Sequence, residues 1–370
     1  MKVAQGQKEN RKRLICVAAM GLLLLSQSFF HHVSAQNTHW EIGLNGSYMF
    51  HNFSDLDIVA TGVAGMDVTW MSRKDGDSYW RLMRRYPSFG VRTSFYYIPQ
   101  GIAGHRIGVA GIVRTPLTKH LDYNLGVGLS TFTRAQCFTG DPENIFVSSA
   151  LNCLIDVGFS YRIGEHVMFT AGLTHSSNGM LHRPNKGLNF FQAGMAVKLG
   201  NDYEHNLDWE HAHERITSVP TYTQHEIGAT LSPAVVMSGL EWQKGYFFCY
   251  DISLNYIYRF NPVYGVGGAV DLWYNDSHTE QMKVKNVDYP LPLYISAMPF
   301  WEGSWGHLSL RVGIGPVLYA SSLVRLRFYE RVGAYYNFGS HYVGAGINAH
   351  SGVIEFIEWS YGFRIPLKKK

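Results

Sequence analysis

The feature that most constrains the fold of this chain is a repeated alternation of apolar and polar residues. One apolar row consists of Trp40, Ile42, Leu44, Gly46, Tyr48 and Phe50. Another consists of Leu121, Tyr123, Leu125, Val127 and Leu129. Because successive side chains of a strand point to opposite faces, a period of two predicts β-strands with one apolar face. The chain is also rich in small and aromatic residues, with 38 Gly, 23 Tyr and 21 Phe. This combination is typical of an all-β, antiparallel transmembrane β-barrel.

The first 35 residues have the pattern of a cleaved signal peptide. A basic stretch ending at Arg13 precedes an apolar segment from Leu14 to Leu25, and Val33-Ser34-Ala35 has the small residues that signal peptidase prefers. Beyond it, no uninterrupted apolar run approaches the roughly 18 residues that a spanning helix needs. An exported barrel predicts location in the outer membrane of a Gram-negative-type cell.

Eight strands are expected in residues 36–200. Their expected ranges are 40–50, 58–70, 89–98, 106–115, 121–134, 146–163, 167–177 and 188–199. Bacterial barrels have short periplasmic turns and longer extracellular loops, which places the end of the seventh strand outside the cell. The long connection at 72–87 breaks this rule, and a short amphipathic helix is expected there.

The two halves of the chain resemble each other, which indicates an ancient duplication. Glu41-Ile42-Gly43 recurs as Glu226-Ile227-Gly228, and residues 201–222 form a polar connector between the halves. One barrel of about 14 to 16 strands is the expected closure, and two eight-stranded barrels are the alternative.

A candidate site lies at the end of the seventh strand, in Thr174-His175-Ser176-Ser177-Asn178-Gly179. His175 and Ser177 are two residues apart, so they share one face of the strand. That face continues the apolar row Val167, Phe169, Ala171 and Leu173, which is the row expected to meet lipid. A base beside a hydroxyl nucleophile at this position indicates ester hydrolysis at a membrane.

The second half, residues 223–370, is expected to be a degenerate copy. His350 corresponds to His175, but Gly352 stands where the first half has Ser177. The parity of its strand predicts that His350 points into the lumen.

Residues 38–200 resemble the lipid A deacylase family of the PagL type, small outer-membrane barrels that hydrolyse an acyl ester of lipid A. The resemblance depends on the His-x-Ser-Asn-Gly motif, on Pro184-Asn185-Lys186-Gly187-Leu188-Asn189 and on residues 144–149. The form with a second half is similar to acyloxyacyl hydrolases. The resemblance implies that the chain is a carboxylic ester hydrolase that acts on lipopolysaccharide in the outer membrane.

The same resemblance assigns roles to individual residues. It implies that Ser177 is the nucleophile and His175 its general base, while Asn189 stands where the family has a glutamate. Glu143 is an alternative acid. A side-chain amide can donate to a developing oxyanion, so Asn178 or Asn185 is expected to do so.

Charge and composition limit the partners of the chain. Arg183 and Lys186 lie in the loop beside the site and are expected to meet the phosphates of lipid A. The net charge of +4 is too small to indicate nucleic-acid binding. The chemistry requires no metal or cofactor, the other partners are membrane lipids, and a homodimer is left open. The alternative function is a non-catalytic barrel, a pore or a structural protein, with a relic site.

Overall fold

The computed structural model describes residues 38–50, 61–73, 78–99, 103–200, 224–237, 245–284, 293–320, 328–350 and 353–367. The expected signal peptide (1–35) and the connector (201–222) lie outside these ranges, and both remain predictions.

The first half of the chain is a closed antiparallel barrel of eight strands. The strands are β1 (Thr38–Phe50), β2 (Thr61–Arg73), β3 (Ser88–Tyr97), β4 (Arg106–Pro116), β5 (Leu121–Phe132), β6 (Asn152–Ile163), β7 (Val167–Ser177) and β8 (Leu188–Leu199). β1 pairs with β2 on one side and with β8 on the other, which closes the sheet. The eight expected strands are confirmed, although β6 begins at Asn152 and not at residue 146.

The second half forms its own closed antiparallel barrel. Its strands are β9 (Gln224–Met237), β10 (Tyr246–Arg259), β11 (Tyr264–Asn275), β12 (Leu293–Trp305), β13 (Leu308–Ala320), β14 (Phe328–Phe338), β15 (His341–His350) and β16 (Val353–Leu367). Here β9 pairs with β10 and with β16.

The expectation of one large barrel is therefore wrong, and the alternative of two eight-stranded barrels is correct. The reason lies in the sheet edges. β8 pairs with β7 along one edge and with β1 along the other, from Leu199 opposite Trp40 to Asn189 opposite Phe50. No unpaired edge of the first barrel is left along this ladder to accept β9.

Among the described residues, three short helices lie in the connections: α1 (Tyr79–Met83), α2 (Gln136–Thr139) and α3 (Asp276–Val284). α1 confirms the helix expected in the 72–87 connection. Within the ranges that the structure describes, no helix has the length and apolar character needed to cross a membrane.

The barrels are apolar outside and charged inside. Leu44 and Trp359, for example, are 68% and 67% exposed on the outer walls. In the first lumen the Arg114 guanidinium forms an ion pair with the buried Glu41. In the second lumen one carboxylate, Glu302, forms ion pairs with three arginines, namely Arg259, Arg311 and Arg364. An eight-stranded barrel is just wide enough for such side chains to fill it. The predicted class, a transmembrane β-barrel, is confirmed.

The barrels contact each other through Arg84, which follows α1, at the end where the turn between β4 and β5 lies. Its buried guanidinium donates to the hydroxyls of Tyr123 in the first barrel (3.0 Å) and Tyr264 in the second (2.9 Å). It lies 4.2 Å from the ring centroid of Trp305, whose indole N–H donates to Thr115 at 3.2 Å. We call these five residues the Arg84 cluster. The long connection between β2 and β3 thus supplies an arginine that joins the two barrels.

Candidate active site

Three side chains form a hydrogen-bonded row on the outer wall of the first barrel. The strand ladder places His175 of β7 directly opposite Asn189 of β8. The Nε2 atom of His175 lies 2.9 Å from Ser177 Oγ, and its Nδ1 atom lies 2.8 Å from Asn189 Oδ1. With Oδ1 facing it, Nδ1 carries the ring proton and donates, because an amide oxygen can only accept. Nε2 is then free to accept the proton of the Ser177 hydroxyl.

The alternation of β7 places this row on the outer face, as the sequence predicts. Phe169 and Leu173, on the odd positions, are exposed, whereas Thr174 and Ser176 point inward and are buried. His175 continues the odd row near the C-terminal end of β7. Ser177 is only 4% exposed because the following loop covers it.

The loop 178–187 returns over the pair through residues in left-handed conformations. Gly179, Met180 and Gly187 have φ of 59°, 68° and 68°. A Cβ at position 187 would lie 3.0 Å from His175 Cε1 and 3.1 Å from Ser177 Cβ. Glycine is therefore needed at 187 both for the backbone conformation and for the close approach.

The two asparagines of the loop have different hydrogen bonds. The side-chain amide of Asn178 donates to Ser148 Oγ (3.1 Å) and to the carbonyl of His182 (2.9 Å). Asn185 accepts the backbone N–H of Asn178 through Oδ1 at 3.2 Å. The side-chain NH₂ group of Asn178 thus holds the loop together. Asn185 bonds to Asn178 through its oxygen and not through its NH₂ group.

The structure separates the remaining candidates. Arg183 is half-buried, and burial lowers the pKa of its guanidinium. Lys186 is exposed at the outer surface of the loop. Glu143 lies exposed between α2 and β6, and His175 Nδ1 donates its hydrogen bond to Asn189 Oδ1. In the described ranges no group of three His, Cys, Asp or Glu side chains could hold a metal ion.

Sequence reasoning missed the residues that support the loop. The stretch 144–149, expected to begin a strand, is a loop, in which Ile145 and Phe146 accept the N–H groups of Lys186 and Gly187 at 3.2 and 3.1 Å. Ser148, in the same loop, accepts a hydrogen bond from the side-chain NH₂ group of Asn178. No sequence period marks such contacts, since they depend on how two loops meet.

The corresponding position of the second barrel lacks this arrangement. His350 points into the lumen, as predicted, and is 7% exposed. Its Nε2 faces Glu355 Oε2 at 2.5 Å, and its ring packs against Trp273. In the described part of the second barrel, His350 therefore faces an acid and not a hydroxyl.

Two family models match the chain. One, described as lipid A 3-O-deacylase (PagL), matches residues 117–198 and includes His175, Ser177 and Asn189. The other, described as acyloxyacyl hydrolase, C-terminal domain, matches residues 221–369. Together they take in more than half of the chain. The chain belongs to the PagL-type lipid A deacylase and acyloxyacyl hydrolase family. The matched regions of this family member divide between the two barrels, with the hydrogen-bonded row in the deacylase part.

Three solved structures that match this family member are each less than half its length. The crystal structure of the outer membrane enzyme PagL is 14% identical, covers 44% of this chain and 99% of its own, and has a TM-score of 0.29. Neisserial surface protein A is 11% identical, with coverages of 45% and 99% and a TM-score of 0.28. A designed transmembrane β-barrel is 11% identical, with coverages of 45% and 100% and a TM-score of 0.25. No curated protein matches the sequence.

Proposed function

We propose that this protein is an outer-membrane serine esterase that removes an ester-linked 3-hydroxyacyl chain from the lipid A of lipopolysaccharide. The observation that supports it most directly is the row Ser177, His175 and Asn189, bonded at 2.9 and 2.8 Å on the lipid-facing wall. Family membership supports the substrate class. The apolar outer walls support a membrane location, reached by way of the expected signal peptide.

The proposed reaction uses this row in two steps. Ser177 Oγ attacks the ester carbonyl carbon while His175 Nε2 takes its proton, and the tetrahedral intermediate collapses by breaking the bond to the lipid A oxygen. The imidazolium returns the proton to that oxygen. Water, deprotonated by His175, then attacks the acyl-serine, which releases the hydroxy fatty acid and restores the Ser177 hydroxyl.

Asn189 orients the base in this scheme. By accepting from Nδ1–H, it holds the tautomer in which Nε2 is the proton acceptor. A neutral amide stabilises the imidazolium less than a carboxylate does. The expected catalyst is therefore competent but slower than one with an acid at 189.

The loop supplies the remaining groups. We assign the oxyanion donor to the NH₂ group of Asn185, because the amide of Asn178 is already used by Ser148 and His182. Lys186, exposed on the loop, and Arg183 are assigned to the phosphates of lipid A. In this scheme residues 36–200 carry the chemistry, 201–222 connect the barrels, and 223–370 support the first barrel.

The alternative, a non-catalytic pore or structural barrel with a relic site, has less support. Charged side chains occupy both lumens: Arg331, for example, contacts the carboxylates of Asp271 and Glu358 in the second. Such contents oppose an open pore in a barrel of eight strands. The two hydrogen bonds of His175, to Ser177 and to Asn189, are those that a catalytic site needs, which also favours the enzyme over a relic.

The test is the mass spectrum of lipid A extracted from Gram-negative cells that express the wild type, Ser177→Ala or Ser176→Ala. Ser176 is the matched control because it points into the lumen, bonded to Ser130 at 3.1 Å. We expect the wild type and Ser176→Ala to remove one hydroxyacyl mass, and Ser177→Ala to remove none. Unchanged lipid A with a wild type shown to be folded by heat-modifiable mobility would favour the relic barrel.

A further inference from the structure

The loop that follows Ser177 is held by the second barrel as well as by the first. The backbone N–H of Met237, the last residue of β9, donates to the carbonyl of Met180 at 2.9 Å. The Met237 sulfur accepts the backbone N–H of Arg183 at 3.2 Å. Both contacts cross from one barrel to the other at their extracellular ends.

Ile357 of β16 makes the third contact. Its side chain lies against Gly179, two residues after the nucleophile, so closely that a Cβ at position 179 would overlap it. Most outward residues of β16 are open, including Trp359 at 67% and Ile365 at 50% exposure. Ile357, in the same row, is more buried than these residues because the loop of the first barrel covers it.

We propose that the second barrel positions the catalytic loop, with Ile357 and Met237 as its positioning residues. The proposal rests on the proposed function. The contacted residues, Gly179 and Met180, both have positive φ and lie between Ser177 and the oxyanion donor Asn185. Their conformation therefore decides where the Asn185 amide stands relative to the serine.

Three contacts on one short segment matter because catalysis is sensitive to placement. A displacement of about 1 Å in a catalytic constellation can cost about 100-fold in rate. The first barrel is already closed by the β1–β8 ladder, so its wall does not need the second barrel. The segment that gains support from the second barrel is the one beside the nucleophile. The Arg84 cluster at the other end fixes the second barrel against the first.

The test compares Ile357→Ala with Ile365→Ala, a matched removal from the same outward row of β16 away from the loop. We expect Ile357→Ala to lower the kcat for lipid A deacylation about tenfold or more, with KM little changed, and Ile357→Leu to restore most of it. Ile365→Ala should behave as the wild type. Heat-modifiable mobility would show that each variant is folded.

A second readout does not depend on activity. Lys186 is exposed on the loop, so a lysine-specific protease added to intact cells reports how readily the loop opens. We expect Ile357→Ala to be cut at Lys186 several-fold faster than Ile365→Ala. If both variants match the wild type in cleavage and rate, the second barrel does not position the loop. Faster cleavage with a wild type inactive on lipid A would instead uphold the positioning and refute the esterase.

Discussion

Asn189 takes the place that a carboxylate holds in most serine esterases, opposite the ring nitrogen of His175 that does not face the serine. We expect Asn189→Ala to lower the deacylation rate at least tenfold, because the imidazole loses the acceptor that holds its tautomer. Asn189→Glu should raise the rate severalfold, since a carboxylate stabilises the imidazolium. Initial rates of fatty acid release from lipid A would measure both. An Asn189→Ala variant as fast as the wild type would remove Asn189 from the mechanism.

Gly187 allows a second prediction with a close control. Gly187→Ala and Gly164→Ala both place a side chain at positive φ, 68° and 64°, which costs about 1–2 kcal/mol in each case. Only the first brings a Cβ to 3.0 Å from the His175 ring, because nothing lies near position 164. We therefore expect similar losses in the free energy of unfolding but a loss of deacylation only in Gly187→Ala. Equal activities would show that the close approach at 187 is not needed.

For single residues, the sequence predicts which face of a strand a side chain occupies but not whether a loop buries it. The two-residue spacing of His175 and Ser177, and the parity of Asn189, were sufficient to predict that all three share the outer face. The burial of Ser177 and the use of the Asn178 amide by Ser148 were not predictable, because they depend on how loop 178–187 folds against loop 144–151.

Among the elements, the strands were predictable because period two is a property of the strand itself. The early start expected for β6 shows the limit. Phe146 and Val147 are apolar and fully buried, as strand residues would be, but their N–H groups donate to the side chain of Asn144 in a turn. Their burial comes from packing with Leu188 and Phe190 at the barrel mouth.

The connection that carries α1 gives a prediction for the interface. Arg84→Lys keeps the charge but cannot donate to Tyr123, Tyr264 and the carbonyl of Ser304 with one planar group. We expect it to destabilise the contact between the barrels by about 1–3 kcal/mol, the cost of buried groups left unpaired. Thermal unfolding in detergent should then separate into two transitions, one for each barrel.

The control is Lys119→Ala, which removes an exposed cation from a turn at the same end of the first barrel. It should leave the transition unchanged. A single unshifted transition in Arg84→Lys would show that the barrels do not depend on this contact.

For the whole molecule, the duplication could be predicted from the sequence, but the number of closed barrels could not. Alternation shows where the strands lie, and Glu41 and Glu226 mark the same place in each copy, each paired with a buried arginine. Which edges pair is decided by ladders between distant strands. The β1–β8 and β9–β16 ladders close two cylinders from a pattern that would equally suit one.

The contact of Ile357 with Gly179 also determines how molecules diffusing in the leaflet reach the serine. A site on the wall of a lone cylinder could be approached from either flank. Here one flank is occupied by a neighbour that cannot diffuse away, because it belongs to the same polypeptide. A lipid would then approach along the other flank, over Leu173 and Phe191. These side chains are 51% and 52% exposed directly below His175 and Asn189. If Ser177 is the nucleophile, we expect lipid A to reach it from one direction.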